Sequence, residues 1–134
     1  MATAPPPVQV LVCGASALIR AGITRLLEAH PERVVVVDPA GPVLPRGVDL
    51  VLLDLDDGPV PGESAMGMLT TFVRSGLPVV ALSWRTDEPW AQGVRAAGPA
   101  GVVHKGTAGD QLVIDLVRFH ARSAALGPPP DESA

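Results

Sequence analysis

The sequence predicts a doubly wound α/β fold, in which helices cover both faces of a parallel sheet. Five short apolar runs are rich in valine and do not alternate with polar residues, which is typical of strands buried on both faces. Helical apolar patterns lie between most of these runs. The chain has 134 residues and 47% of them are apolar, which fits one domain with a sizeable core.

The five strands are predicted at the apolar runs, each of which is bounded by Gly, Pro, Asp or Ser. They cover Val8–Val12, Val34–Val37, Leu50–Leu53, Val79–Leu82 and Val102–Val103. In an open α/β sheet, sites form beyond the carboxyl ends of the strands. The residues that follow each run are therefore the first candidates for function.

Four helices are predicted from apolar residues that recur with a helical period. They cover Ala17–His30, Glu63–Ser75, Asp87–Ala97 and Asp110–Ser123. In the first helix, Ile19, Ile23 and Leu26 share the face that should pack on the sheet, and Pro31 ends the helix.

The connection between the second and third strands should lack a regular helix. Three prolines lie within seven positions between Asp38 and Asp49, and proline breaks helices. About ten residues can span at most ~33–36 Å when extended, and a strand of typical length covers only ~17–20 Å. We expect a short loop, so that the second helix of the usual pattern is degenerate or missing.

The composition limits the classes of function. Residues 1–7 and 123–134 are rich in proline, which predicts a disordered N-terminal tail and a linker or C-terminal tail around a domain at 8–122. The net charge of −4 and the scattered arginines argue against direct DNA contact. No apolar run is long enough for a membrane span, no secretion signal is present, and a single cysteine gives no internal disulfide. These features predict a cytoplasmic protein.

Candidate site residues follow four of the five strands. They are Cys13, Gly14, Ala15 and Ser16 after the first, Asp54, Asp56 and Asp57 after the third, Ser83 and Trp84 after the fourth, and His104 and Lys105 after the fifth. An aspartate, a hydroxyl and an ammonium should therefore converge at one edge of the sheet.

Four segments resemble the receiver (CheY-like) domains of bacterial response regulators, in particular the NarL/FixJ or LuxR/NarL group. They are Val10–Gly22, Asp49–Leu55, Pro78–Ser83 and Ala96–Lys105, and the resemblance runs from about Val8 to Arg122. It implies a flavodoxin-like or CheY-like sheet of order 2-1-3-4-5. It also implies that Asp54 stands at the phosphoacceptor position, Ser83 at the switch hydroxyl and Lys105 at the family's lysine.

The sequence departs from the family where the metal should bind. Gly14 and Ala15 stand at the positions of two acidic residues that help to hold Mg²⁺, and neither has a side-chain oxygen. Mg²⁺ demands oxygen ligands, and phosphoryl transfer relies on it, so we expect no Mg²⁺ and no other cofactor. Trp84 replaces a small residue and should cover the path to Asp54, and Val102 replaces an aromatic residue of the switch.

The resemblance implies signal reception in a transcriptional response regulator, without enzymatic activity. We expect Asp54 and Lys105 to form a standing ion pair, with regulation by protein contact or by a small-molecule ligand. The expected partners are a second copy, through the family's helices 4 and 5 or 1 and 5, a helix-turn-helix DNA-binding domain outside this chain, and a sensor kinase.

Two other functions stay open. The first is a conventional receiver that is phosphorylated at Asp54, with Asp56 and Asp57 as weak candidates to rebuild the metal site. The second is a small α/β nucleotide-binding or enzymatic module that uses Cys13 or Ser16. This module would need a base near its nucleophile, and no histidine is obviously placed for that.

Overall fold

The structure is a computed structural model that describes residues 4–38, 46–56 and 65–126. Its strands are β1 (Val8–Cys13), β2 (Val34–Val37), β3 (Leu50–Asp54), β4 (Val79–Ser83) and β5 (Gly101–His104). Its helices are α1 (Ala17–Glu28), α2 (Ala65–Arg74), α3 (Glu88–Ala96) and α4 (Gly109–Leu126).

The five strands form one parallel sheet in the order β2-β1-β3-β4-β5, as the sequence predicts. The inner strands β3 and β4 are buried along their whole length. This burial explains why their apolar residues do not alternate with polar ones, because helices cover both faces of the sheet.

The core divides into two layers, one on each face of the sheet. Helices α1 and α4 pack on one face, where Leu27, Leu52 and Leu116 are fully buried. Helices α2 and α3 pack on the other face, around Leu53 and Leu69. Successive strand residues serve opposite layers, since side chains alternate across a strand.

The prediction for the inner face of α1 is wrong at one residue. Leu26 is 45% exposed, whereas Leu27 is completely buried. The helix packs on the sheet through Ile23 and Leu27, which stand four residues apart and therefore share one side of the helix. Leu26 turns away from the sheet toward Gly109 at the start of α4.

The last helix is longer than predicted, because α4 continues through Leu126 into the segment expected to be a linker. Residues 39–45, which carry most of the predicted loop in place of a second helix, lie outside the described residues. So do residues 1–3, 57–64 and 127–134. In the part of the chain that the structure covers, no helix is both long and apolar enough to cross a membrane.

Candidate functional site

The sheet brings together the three residues that were predicted to converge at one edge, and we call this edge the rim. Asp54 and Ser83 are the last residues of the adjacent strands β3 and β4, and Lys105 directly follows β5. Ser83 is paired with His104 in the sheet register, and the Lys105 N–H donates to the Ser83 carbonyl at 2.9 Å. Three neighbouring strands therefore place a carboxylate, a hydroxyl and an ammonium at one edge.

The ion pair expected between Asp54 and Lys105 is present. The Lys105 Nζ lies 2.7 Å from Asp54 Oδ2 and 2.9 Å from Asp56 Oδ2. The Asp54 side chain is completely buried and that of Lys105 is only 6% exposed. Burial alone would lower the pKa of Lys105, but the two carboxylates outweigh burial and raise this pKa above its usual value.

Asp56 is the centre of the hydrogen-bond network at this edge. Its Oδ1 accepts from the Ser83 hydroxyl at 2.5 Å, and its Oδ2 accepts from the Trp84 N–H at 2.8 Å and pairs with Lys105. Its own N–H donates to Asp54 Oδ1 at 2.8 Å. Burial would raise the pKa of Asp56, yet these donors lower it below the ordinary value.

The role of Asp56 was missed by the sequence analysis, which gave it only as a weak metal ligand. One signal in the sequence could have found it. Asp56 stands two residues beyond Asp54, at the edge where Ser83 and Lys105 were already expected to converge. A carboxylate placed there meets a hydroxyl, an ammonium and the first free N–H after β4.

Gly14 and Ala15 bring no oxygen to the rim, and Gly14 is required by the backbone. Its φ is +78°, and a Cβ at this position would lie 2.7 Å from the Asp54 carbonyl oxygen. An aspartate could not stand at residue 14 without a shift of β1 or β3. Ala15 is partly buried against the core.

Mg²⁺ demands a shell of oxygen ligands, and the described residues at the rim offer it the two carboxylates of Asp54 and Asp56. Asp54 Oδ1 and both Asp56 oxygens accept hydrogen bonds from Ser83 or from backbone N–H groups. Asp54 Oδ2 accepts no hydrogen bond from the residues that the structure describes and is held by its ion pair with Lys105. Within the described ranges, no group of three His, Cys, Asp or Glu could hold a metal ion. Asp57, the other weak candidate, lies outside the described residues.

The candidate nucleophiles of the alternative enzyme have structural roles. The Ser16 hydroxyl caps α1 by accepting from the Ile19 N–H at 3.4 Å. Burial raises the pKa of the Cys13 thiol, and the charge of Arg20 offsets this only in part. A reactive cysteine needs the opposite shift.

Trp84 and His104 contact each other beside the rim. The Gly106 N–H donates to His104 Nδ1 at 3.0 Å, so Nε2 carries the proton and donates to the Trp84 carbonyl at 3.1 Å. The two rings meet edge to face, with their centroids 5.6 Å apart. The Trp84 side chain is 57% exposed, and its expected role of covering Asp54 stays a prediction.

The described residues place the remaining histidines away from this edge. His30 Nε2 lies 3.0 Å from Asp110 Oδ1 and links the end of α1 to the start of α4. His120 is on α4. Val102 packs among the apolar residues around α2 and α3.

No family model and no curated protein matches this chain. Solved structures do match it. The Francisella response regulator 1452 receiver domain is 17% identical with a TM-score of 0.68, and the match covers 87% of this chain and 98% of that one. A LuxR-family DNA-binding response regulator from Staphylococcus aureus is 12% identical with a TM-score of 0.67, over 84% and 98%. NtrX from Brucella abortus is 20% identical with a TM-score of 0.70, over 89% of this chain and 28% of that one. These likenesses establish a shared receiver fold.

Proposed function

We propose that this chain is an atypical receiver module of a bacterial transcriptional response regulator. It acts in signal transduction through contact with other proteins or through a ligand, and not through Mg²⁺-dependent phosphorylation of Asp54. The fold and the converging Asp54, Ser83 and Lys105 support the receiver part of the proposal. The observation that carries the atypical part is the carboxylate of Asp56, which occupies the donors beside Asp54.

A phosphoryl group on Asp54 would need hydrogen-bond donors around its oxygens. The Ser83 hydroxyl, the Trp84 N–H and the Lys105 ammonium lie at the same edge as that carboxylate, and Asp56 already accepts from or pairs with each of them. A phosphoryl group brings a charge of about −1.5 to −2. It would have to displace Asp56 and then face its negative charge without a metal ion between them.

Asp56 is therefore proposed to act as a built-in anion that keeps the rim in a single arrangement. The β4 and β5 ends are then fixed without phosphorylation, because the ammonium and the hydroxyl are satisfied by the chain itself. Such a module would present a constant surface to its partners. Signals would change the fraction of chains that are bound to a partner and would not change the covalent state of Asp54.

The proposed partners follow from this role. They are a second copy of the chain, through α3 and α4 or through α1 and α4, and a DNA-binding domain outside these residues. One of the similar structures is a DNA-binding response regulator. We propose a cytoplasmic location, and neither membrane binding nor DNA contact by this segment.

Incubation with acetyl phosphate and Mg²⁺, followed by intact-mass measurement, tests the proposal. We expect no gain of a phosphoryl group in the wild-type chain, and the same result in Asp54→Ala. A gain that depends on Mg²⁺ and disappears in Asp54→Ala would identify a conventional receiver. Thermal stabilisation by nucleotides, with no phosphoryl gain, would instead favour the small nucleotide-binding module.

A further inference from the structure

An apolar cavity, which we call the slot, lies on the side of α1 and α4. It is next to the contacts that Asp56 makes with Ser83, Trp84 and Lys105, which we call the ion network. Its volume is about 200 Å³. Leu18 and Leu26 of α1 form one wall and are largely exposed, while Leu82 and Leu112 form part of the lining and are nearly fully buried. Trp84 lines the slot next to the rim. The slot therefore reaches from the surface to the core, unlike a flat apolar patch.

The polar groups around the slot are mostly committed to other partners. The Lys105 ammonium is paired with two carboxylates, and both ring nitrogens of His104 are hydrogen-bonded. Thr107 lines the slot, and its hydroxyl forms no hydrogen bond within the part of the chain that the structure describes. One neutral polar group is thus open to a ligand, and no unpaired charge is.

We propose that the slot binds a small, neutral aromatic molecule with one hydrogen-bonding group, of the size and polarity of indole or phenol. An apolar cavity of about 150 Å³ holds benzene, so a volume of about 200 Å³ suits one ring or two fused rings. The edge-to-face pair of Trp84 and His104 offers an aromatic wall for such a ring. A charged ligand would lose its hydration without gaining an unpaired counter-charge.

The slot shares Trp84 and Lys105 with the ion network, so a bound ring would touch residues that also hold Asp56. This site rests on the ligand alternative of the proposed function and gives it a ligand class, and it involves no phosphoryl group at Asp54. The chain can therefore fail to bind the ligand and still resist phosphorylation by acetyl phosphate, or it can bind the ligand and still be phosphorylated.

Two glycines allow a matched test. Gly22 lines the mouth of the slot and Gly93 lies on α3, on the opposite face of the sheet. Both are exposed helix residues, and a Cβ at either would meet no atom within 4 Å. Gly22→Leu should extend a side chain across the mouth of the slot, whereas Gly93→Leu changes the helix propensity by the same amount and leaves the slot open.

The experiment is equilibrium dialysis of indole against the full chain and its variants. We expect saturable binding to the wild type with a Kd below about 1 mM. Gly22→Leu should weaken binding more than about 10-fold, and Gly93→Leu should stay within about twofold of the wild type. Loss of the hydroxyl in Thr107→Val should weaken binding about fivefold, as expected for one hydrogen bond.

Absence of saturable binding to the wild type would overturn the proposal, as would equal binding by the two leucine variants. Light scattering on the same samples measures the oligomeric state and so tests whether a second copy of the chain covers the slot. If the wild type is a dimer and Gly22→Leu is a monomer, and neither binds indole, the slot belongs to an interface between two copies and the ligand proposal is wrong.

Discussion

Removal of the Lys105 charge is the sharpest perturbation of the ion network. In Lys105→Met the side chain keeps much of its volume but leaves Asp54 and Asp56 without their ammonium. The Nζ lies 2.7 Å from one carboxylate and 2.9 Å from the other. The substitution thus leaves two negative charges close together, one of them completely buried.

The expected loss of stability follows from this burial. Breaking a buried ion pair from one side costs about 3–5 kcal/mol, because the remaining charge is uncompensated. The Asp56 side chain is 20% exposed, which moderates its share, but Asp54 has no access to solvent. A loss of about 3 kcal/mol or more is a large part of the 5–15 kcal/mol that stabilises a typical domain.

Urea denaturation followed by circular dichroism at neutral pH measures this loss. Arg95→Met is the matched control, because it removes a cation from an exposed pair with Glu88 and should cost under about 1 kcal/mol. The double variant Asp54→Asn/Lys105→Met should be more stable than Lys105→Met alone, since it removes the buried carboxylate. If Lys105→Met and Arg95→Met lose the same stability, the buried network is not what holds this edge together.

Three further predictions concern stability. The stability that Asp56 contributes is fully present above its ordinary pKa of 3.8 and is lost as the pH falls through its lowered pKa. The stability that Lys105 contributes is fully present below its ordinary pKa of 10.5 and is lost as the pH rises through its raised pKa. The urea midpoint should therefore fall at both ends of the pH range, and a midpoint that is unchanged at both ends would contradict this. Gly14→Ala should cost about 2 kcal/mol more than Gly76→Ala in the same assay, because both glycines have positive φ but only the Cβ at 14 would strike backbone; equal losses would argue against the close approach. Leu116→Ala should cost about 2–5 kcal/mol by thermal or urea unfolding, and a loss below about 1 kcal/mol would mean that α4 is not packed as described.

The sheet was predictable because apolar runs without polar alternation are typical of strands covered on both faces, which predicts a parallel sheet. β3 shows this most clearly, since every residue from Leu50 to Asp54 is buried. The strand ends were predicted one residue short at Asp54 and Ser83, because a polar residue ends an apolar run before it ends a strand.

The helices were less predictable in detail. Apolar residues at Leu26 and Leu27 are equally suited to an inner face, and only the packing on the sheet decides that Leu27 is buried. The extension of α4 through Leu126 was missed because its last residues have no partner in the core: Leu126 is 81% exposed. Alanine-rich sequence continues a helix by its own propensity even where packing gives no signal.

The candidate site shows where sequence patterns stop being informative. Asp54, Ser83 and Lys105 were found because the strand ends bring them to one edge, and strand ends can be read from apolar runs. The same reasoning places Asp56 at this edge but does not give its direction, because Asp-Asp-Gly-Pro is also ordinary turn chemistry. Whether such a carboxylate faces solvent or turns inward depends on the donors it meets.

Those donors explain why Asp56 turns inward. The Ser83 hydroxyl and the Trp84 N–H lie at the end of β4, and the Lys105 ammonium lies at the end of β5. Ser83 and the Lys105 side chain are almost completely buried. An unsatisfied buried donor costs about 1–3 kcal/mol. One carboxylate satisfies all three, at 2.5, 2.8 and 2.9 Å. Three donors that converge at one edge favour a single carboxylate there, and in this chain the residue two places beyond Asp54 supplies it.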